Sequence, residues 1–153
     1  MSLTPGFASP RDLLEKLARD LDLMRTEVTA DRFFNFAVTG YSVCDWVDHD
    51  PSVPASAKSA LMQFRTGTDL KVCRDIANSL KHFSLDAKNQ AKAVTNNTAS
   101  EQGFGVGRYG VGAYGIGEEE ITIVLNDGTS HDALALAARV LQQWESFFSA
   151  HGI

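Results

Sequence analysis

The chain has 153 residues, of which 44% are hydrophobic and 22% are charged. This composition is typical of a globular domain and excludes a wholly disordered chain, which would have fewer large apolar side chains. The formal charge of −5 argues against a broad electrostatic grip on nucleic acid, because such a grip needs lysine and arginine spread over one face. No stretch approaches the roughly 20 apolar residues that cross a bilayer. The sequence therefore predicts one soluble domain over residues 1–153, with no membrane segment.

Two long helices are predicted in the first third of the chain. Ser9, Pro10 and Asp12 mark a helix start, because serine caps free amides, proline suits the first turn and the acid favours its positive end. The first helix should cover residues 9–28, with apolar residues at alternating spacings of three and four along one face. The second helix, residues 30–49, is apolar nearly all round, so we expect it to be the central helix of a bundle.

Three further helices are predicted after this pair. A short helix over residues 56–65 follows two prolines, and a longer one over residues 69–83 has one apolar and one polar face. The polar stretch 84–102 lacks periodicity, which is typical of a frayed helix end and a loop. The last helix, residues 132–149, again has an apolar stripe that closes the bundle.

A glycine-rich repeat precedes the last helix. Three pentads begin with an aromatic residue, at Phe104, Tyr109 and Tyr114, and glycine at this density is incompatible with a helix. Residues 121–125 are β-branched and strand-like, so the sequence predicts a β-ribbon over about 103–125. The aromatic residues either fasten the ribbon to the helices or form an exposed surface for a ligand or partner. The predicted fold is mainly α, a bundle of four to five helices with a small Gly-rich β-ribbon before the last helix.

Three familiar chemistries are disfavoured by the sequence. The glycine run matches the dinucleotide fingerprint formally, but no strand leads into it and no helix follows it directly. Cys44, His49, Cys73 and His82 lack the paired spacing of a metal site, and neither cysteine has the setting of a nucleophile. We therefore predict no cofactor and no metal, and two buried structural thiols in a reducing cytoplasm.

One polar pair lies on the central helix. Asp45 and His49 are one helical turn apart, on the side away from the main apolar stripe. Polar side chains that are buried on such a helix need partners. The two residues therefore pair either with each other, as a structural lock, or with a base from another helix.

A second polar set lies on the predicted helix 69–83. Arg74, Asn78 and His82 follow one another at steps of four and share one ridge, with Lys81 beside them and Asp75 at the border of the polar face. A solvated helix face is the simplest interpretation of such a ridge. A guanidinium that holds phosphate and an imidazole that exchanges protons are also the minimum parts for cleaving RNA through its own 2′-hydroxyl.

Several of these segments carry a resemblance. Residues 44–49 (CDWVDH), 74–82 (RDIANSLKH) and 144–148 (WESFF), with the Gly-rich ribbon, resemble a family of uncharacterised bacterial and phage proteins. More remotely, an arginine, a polar residue and a histidine on one helix of a bundle resemble the HEPN superfamily. That resemblance implies a dimeric, metal-independent ribonuclease in which Arg74 steadies the phosphate, His82 is the general acid or base, and Asp75 is the polar residue. Seven residues separate Arg74 from His82, more than the superfamily usually has.

Two functions are therefore predicted for the chain. The first is a cytoplasmic helical module that forms a dimer or binds an unknown protein partner, favoured by the acidic charge and the aromatic repeat. The alternative is a HEPN-like endoribonuclease of a defence or toxin system, which would bind RNA and use Arg74 and His82 across a homodimer interface. We also expect a homodimer through the helix that carries these two residues.

Overall fold

The computed structural model describes residues 3–81, 93–101 and 119–153. Within these ranges the chain is mainly helical, with a small antiparallel sheet before the last helix, which confirms the predicted fold class. The helices are α1 (Pro10–Thr26), α2 (Ala30–His49), α3 (Ala55–Phe64), α4 (Thr68–Lys81) and α5 (Ala133–His151). The strands are β1 (Val94–Glu101), β2 (Glu119–Leu125) and β3 (Ser130–Asp132). None of the helices in these ranges is both long and apolar enough to cross a membrane.

Polar caps begin three of the helices. Ser9 accepts a hydrogen bond from the backbone N–H of Asp12, whose carboxylate accepts one from the backbone N–H of Ser9, and α1 starts at this capping box. Thr29 caps α2 and Asp132 caps α5 through a single side-chain hydrogen bond each, accepted from a free amide of the first turn. The predicted start of α1 is therefore confirmed from its cap.

The second helix is central, as predicted. α2 packs against α1, α3, α4 and α5, and its side chains Phe36, Ala37, Val43 and Val47 have no exposed surface. Gly40 of α2 faces side chains of α1, α4 and α5. A Cβ atom at this position would lie 3.4 Å from a side-chain carbon of Leu17, 3.5 Å from one of Val140 and 3.8 Å from the sulfur of Cys73.

The sheet lies against α5. The strand order is β1-β2-β3, both pairs are antiparallel, and β1 has an irregularity between Val94 and Asn96. Ile121, Ile123 and Leu125 alternate along β2 and are buried, and β2 contacts α5. One face of the sheet thus joins the helical core.

The first strand corrects the sequence prediction. Residues 94–101, expected to be part of a loop over 84–102, form β1 and pair with β2 from Val94 opposite Leu125 to Glu101 opposite Glu119. The segment reads VTNNTASE and lacks the apolar alternation of a half-buried strand, so its pairing with a distant strand decides its conformation. Of the predicted ribbon 103–125, residues 119–125 are the strand β2, and residues 102–118 lie outside the described ranges.

A polar network fixes α4 against α5. Asp69 accepts hydrogen bonds from Arg139 Nε and Nη2 at 3.0 and 2.9 Å, and from Gln143 Nε2 at 2.9 Å. Burial disfavours the charged carboxylate, but these donors outweigh burial and lower the pKa of Asp69 below its usual value. The bidentate geometry is that of a strong arginine–carboxylate pair, and it sets the position of α4 relative to the bundle.

Candidate functional site

A surface groove lies between α2 and α4 and has a volume of about 580 Å³. We call it the α2–α4 groove. Its lining includes Tyr41, Asp45, Trp46 and His49 from α2, Arg65 from the end of α3, and Asn78 from α4. Residues from both predicted polar sets therefore meet in one concave surface, with half-buried aromatic side chains among them.

Asp45 and His49 pair with each other at the rim of this groove. His49 Nδ1 lies 3.2 Å from Asp45 Oδ1 and 2.9 Å from the backbone carbonyl of Asp45. The two side chains are 76% and 73% exposed, so the pair contributes little to stability. Asp45 and His49 were predicted to pair either with each other or with a base from another helix. In the structure they pair with each other, but on the surface of α2 and not as a buried structural lock.

Asp48 and Arg65 form a second ion pair in the groove. Arg65 Nη2 lies 3.2 Å from Asp48 Oδ2 and 3.5 Å from the carbonyl oxygen of Cys44. Neither residue of this pair was predicted as a site residue from the sequence, nor were the adjacent Tyr41 and Trp46. Arg65 is separated from Asp48 by a turn and a whole helix, so no local spacing links the two. Of these four residues, only Trp46 has a local signal in the sequence, its position beside Asp45.

Arg74 and Asp75 lie outside the lining of the groove. Asp75 is buried, with 4% of its surface exposed, and its Oδ2 accepts hydrogen bonds from the backbone N–H groups of Ala93 and Val94 at 2.7 and 3.0 Å. Arg74 Nη1 lies 3.4 Å from the other carboxylate oxygen of Asp75, and its side chain is 22% exposed. Asp75 thus holds the backbone where β1 begins. The helix pattern had placed this residue at the border of the solvated polar face of α4, whereas in the structure it is buried.

The remaining predicted site residues divide into two groups. Asn78 is half-buried and lines the groove, and Lys81 is the last residue of α4. His82, Phe104, Tyr109 and Tyr114 lie outside the described residues. The pairing of Arg74 with His82, and the aromatic surface of the glycine repeat, stay predictions.

Both cysteines are buried and free, as expected for structural thiols. Cys44 is 3% exposed and Cys73 is fully buried. Burial raises the pKa of Cys44 to about 11, although Arg65 partly offsets it. Burial also raises the pKa of Cys73, and the carboxylate of Asp69 adds to the shift. Neither thiol is in the reactive thiolate form near neutral pH.

We expect a thiol reagent such as Ellman's reagent to label the two cysteines of the folded protein at least about a hundredfold more slowly than in the unfolded chain near pH 8. The unfolded chain in guanidinium chloride is the control. It should release two equivalents of the reagent's coloured thiolate per chain, because the sequence has two cysteines. Rapid release of one equivalent from the folded protein would contradict the raised pKa of Cys44 and reopen a nucleophilic role.

Neither a search for metal-binding residues nor comparison with known proteins assigns a function to this groove. Among the residues that the structure describes, no group of three or more histidine, cysteine, aspartate or glutamate side chains is arranged to hold a metal ion. No protein-family model, curated protein or solved structure matches the chain. The α2–α4 groove and the predicted residues that it brings together are therefore the features of the chain that bear on function.

Proposed function

We propose that this chain is a non-catalytic module of the cytoplasm that holds a segment of a partner protein in the α2–α4 groove. The observation that carries the proposal is the composition of the groove, where half-buried Tyr41 and Trp46 lie beside charged and amide side chains. Tyrosine and tryptophan combine an apolar ring with a polar group. They are enriched in protein interfaces, whose rims are polar. The free thiols of Cys44 and Cys73 suit a reducing compartment.

The charges in the groove favour protein over RNA. Asp45 and Asp48 are 76% and 44% exposed, and their carboxylates repel phosphate. Arg65, the arginine in the lining, is already paired with Asp48 at 3.2 Å. RNA binding instead requires cations that are free to replace counterions along the backbone.

The alternative is the HEPN-like endoribonuclease, with Arg74 and His82 facing each other across a homodimer. The contacts of Asp75 weigh against it, because the polar residue that the analogy needs at the site accepts two backbone hydrogen bonds from the start of β1. Nη1 of Arg74 lies 3.4 Å from Oδ1 of the same carboxylate, and most of the Arg74 side chain is buried. These contacts support a structural role for the pair.

A groove-specific cross-link tests the proposal. A photoreactive amino acid at Asn78, inside the groove, is compared with the same amino acid at Arg19, which is exposed on α1. In an extract of the cells that naturally make this chain, we expect one protein, identified by mass spectrometry, to be captured from position 78 and not from position 19. Excess unlabelled wild-type protein should compete with the capture, and an Ala77→Arg variant that fills the groove should compete poorly.

The outcomes separate the alternatives. Capture of a second copy of this chain at position 78 would support the dimer-forming form of the module. Identical products from positions 78 and 19, or no product from either, would contradict the proposal. The thermal unfolding midpoint of the Ala77→Arg variant serves as its folding control, because Ala77 is half-buried.

Ribonuclease activity is the direct counter-test. Purified protein should leave mixed RNA intact under conditions in which a control ribonuclease cuts it. Cleavage that is lost in Arg74→Ala and His82→Ala, and kept in the surface variant Arg19→Ala, would overturn the non-catalytic proposal and favour the HEPN-like alternative.

A further inference from the structure

Two carboxylates of the α2–α4 groove have unequal partners. Asp45 and Asp48 are three residues apart on α2 and therefore lie about one helical turn from each other. Asp48 is paired with the guanidinium of Arg65 at 3.2 Å. Asp45 is paired with His49, whose imidazole is charged only when protonated and whose shorter contact, 2.9 Å, is with the backbone carbonyl. Among the side chains that the structure describes, no arginine or lysine is paired with Asp45.

The surroundings of Asp45 suit a flat cation. Trp46 and Tyr41 line the same groove, are half-buried, and pack with part of their surface against the core. Guanidinium groups stack on aromatic faces and form two parallel hydrogen bonds with a carboxylate, whereas an ammonium group is a compact and strongly hydrated charge. The pair of Arg65 with Asp48 shows that this groove already accommodates one guanidinium.

We propose that the α2–α4 groove recognises an arginine side chain of the partner protein, with Asp45 as its carboxylate acceptor and Trp46 beside it. This inference depends on the proposed function, because it names the chemistry of the partner that the groove holds. The occupant is a basic protein segment, and its guanidinium forms an ion pair with Asp45 as Arg65 does with Asp48. The net charge of −5 favours the approach of such a segment.

The test uses a defined peptide and a matched pair of variants. The probe is an acetylated, amidated pentapeptide with one arginine between glycines, and its control carries citrulline, the neutral isostere of arginine. Binding to full-length protein is followed by NMR, at the indole N–H of Trp46 and at groove amides. Asp45→Asn is compared with Asp22→Asn, which removes the same charge from a carboxylate on α1 that is 71% exposed and is also paired along its helix.

We expect the arginine peptide to shift the Trp46 indole signal and the citrulline peptide to bind at least about fivefold more weakly, since charge-assisted hydrogen bonds are roughly twice as strong as neutral ones. Asp45→Asn should weaken binding of the arginine peptide by about fivefold to tenfold, and Asp22→Asn by less than about twofold. Equal binding of both peptides, equal losses in both variants, or no response at Trp46 would overturn the inference.

Failure of this inference is distinguishable from failure of the proposed function. If the cross-link from position 78 still captures a partner while the arginine peptide does not bind, the groove is an interface for a partner of different chemistry. If the cross-link captures no partner protein, the peptide does not bind, and a single-stranded RNA oligonucleotide shifts the same groove signals, both proposals fail and the RNA-binding alternative gains support. Because Asp45 is largely exposed, Asp45→Asn should fold as the wild type does, which circular dichroism checks.

Discussion

Replacement of Trp144 by alanine should lower the free energy of unfolding by about 3–5 kcal/mol, the range measured for large aromatic side chains in cores. Trp144 is fully buried, and its ring lies with its centroid 4.6 Å from that of Phe64 and 5.7 Å from that of Phe147. Its indole N–H donates a hydrogen bond to the carbonyl of Gly40 at 2.9 Å, where α2 and α5 meet. The alanine variant loses this bond and leaves a cavity between α3, α5 and the central helix. Urea unfolding followed by circular dichroism measures the loss.

Two variants serve as controls for this change. Trp144→Phe keeps most of the ring contacts and removes the indole N–H, so its loss should be smaller, about 1–3 kcal/mol for a smaller ring and a missing buried hydrogen bond. Glu145→Ala changes the exposed neighbour on the same helix and should stay within about 0.5 kcal/mol of the wild type. A loss below about 1 kcal/mol in Trp144→Ala would contradict the central position of this side chain.

The apolar spacing explains why most of the helical fold was predictable. In α5 the apolar spacings of three and four predict a stripe of Leu134, Ala137, Leu141, Trp144 and Phe148. The last four of these side chains are buried, and Leu134 is half-buried and packs against the core. Such spacing has a direct physical cause, since it brings side chains to one face of a helix. A chain that buries such a face must pack it against another element, so the stripe predicts both the helix and its place in a bundle.

The first strand could not be predicted in the same way. Residues 94–101 have no apolar alternation, and their conformation depends on β2, whose partner residues lie between 18 and 31 positions later in the chain. A buried carboxylate on α4 also holds the start of this strand through Ala93 and Val94. Neither contact leaves a local signal, because each depends on which distant element packs nearby.

The candidate site was predictable in part for the same reason. The pairing of Asp45 with His49 follows from their spacing of four on one helix. The opposite wall of the groove cannot be predicted from such spacing. Asn78 lies there because α4 packs on α2, and Arg65 lies there because α3 returns the chain to α2. Spacing within a helix identifies neighbours on its surface, and only tertiary packing determines which of those surfaces become concave.

Replacement of Asp75 by alanine is the second large expected effect, a loss of about 2–4 kcal/mol. One oxygen of this buried carboxylate accepts both the Ala93 and the Val94 amide hydrogen bond, and removal leaves two backbone donors without an acceptor, at about 1–3 kcal/mol each before relaxation. The nearby guanidinium of Arg74 also loses its carboxylate, 3.4 Å away. Hydrogen exchange should show lost protection of the Ala93 and Val94 amides, together with a lower unfolding midpoint.

The conservative variant Asp75→Asn separates structure from catalysis. Both amides bond to the same carboxylate oxygen, so one asparagine oxygen can accept both, and we expect a loss of only about 1 kcal/mol from the missing charge. A structural Asp75 therefore predicts that asparagine restores most of the stability and amide protection that alanine removes. If Asp75→Asn instead abolished a measured RNA cleavage while stability and protection stayed at the wild-type level, Asp75 would belong to a catalytic site. The polar residue after Arg74 would then have the role that the HEPN resemblance implies.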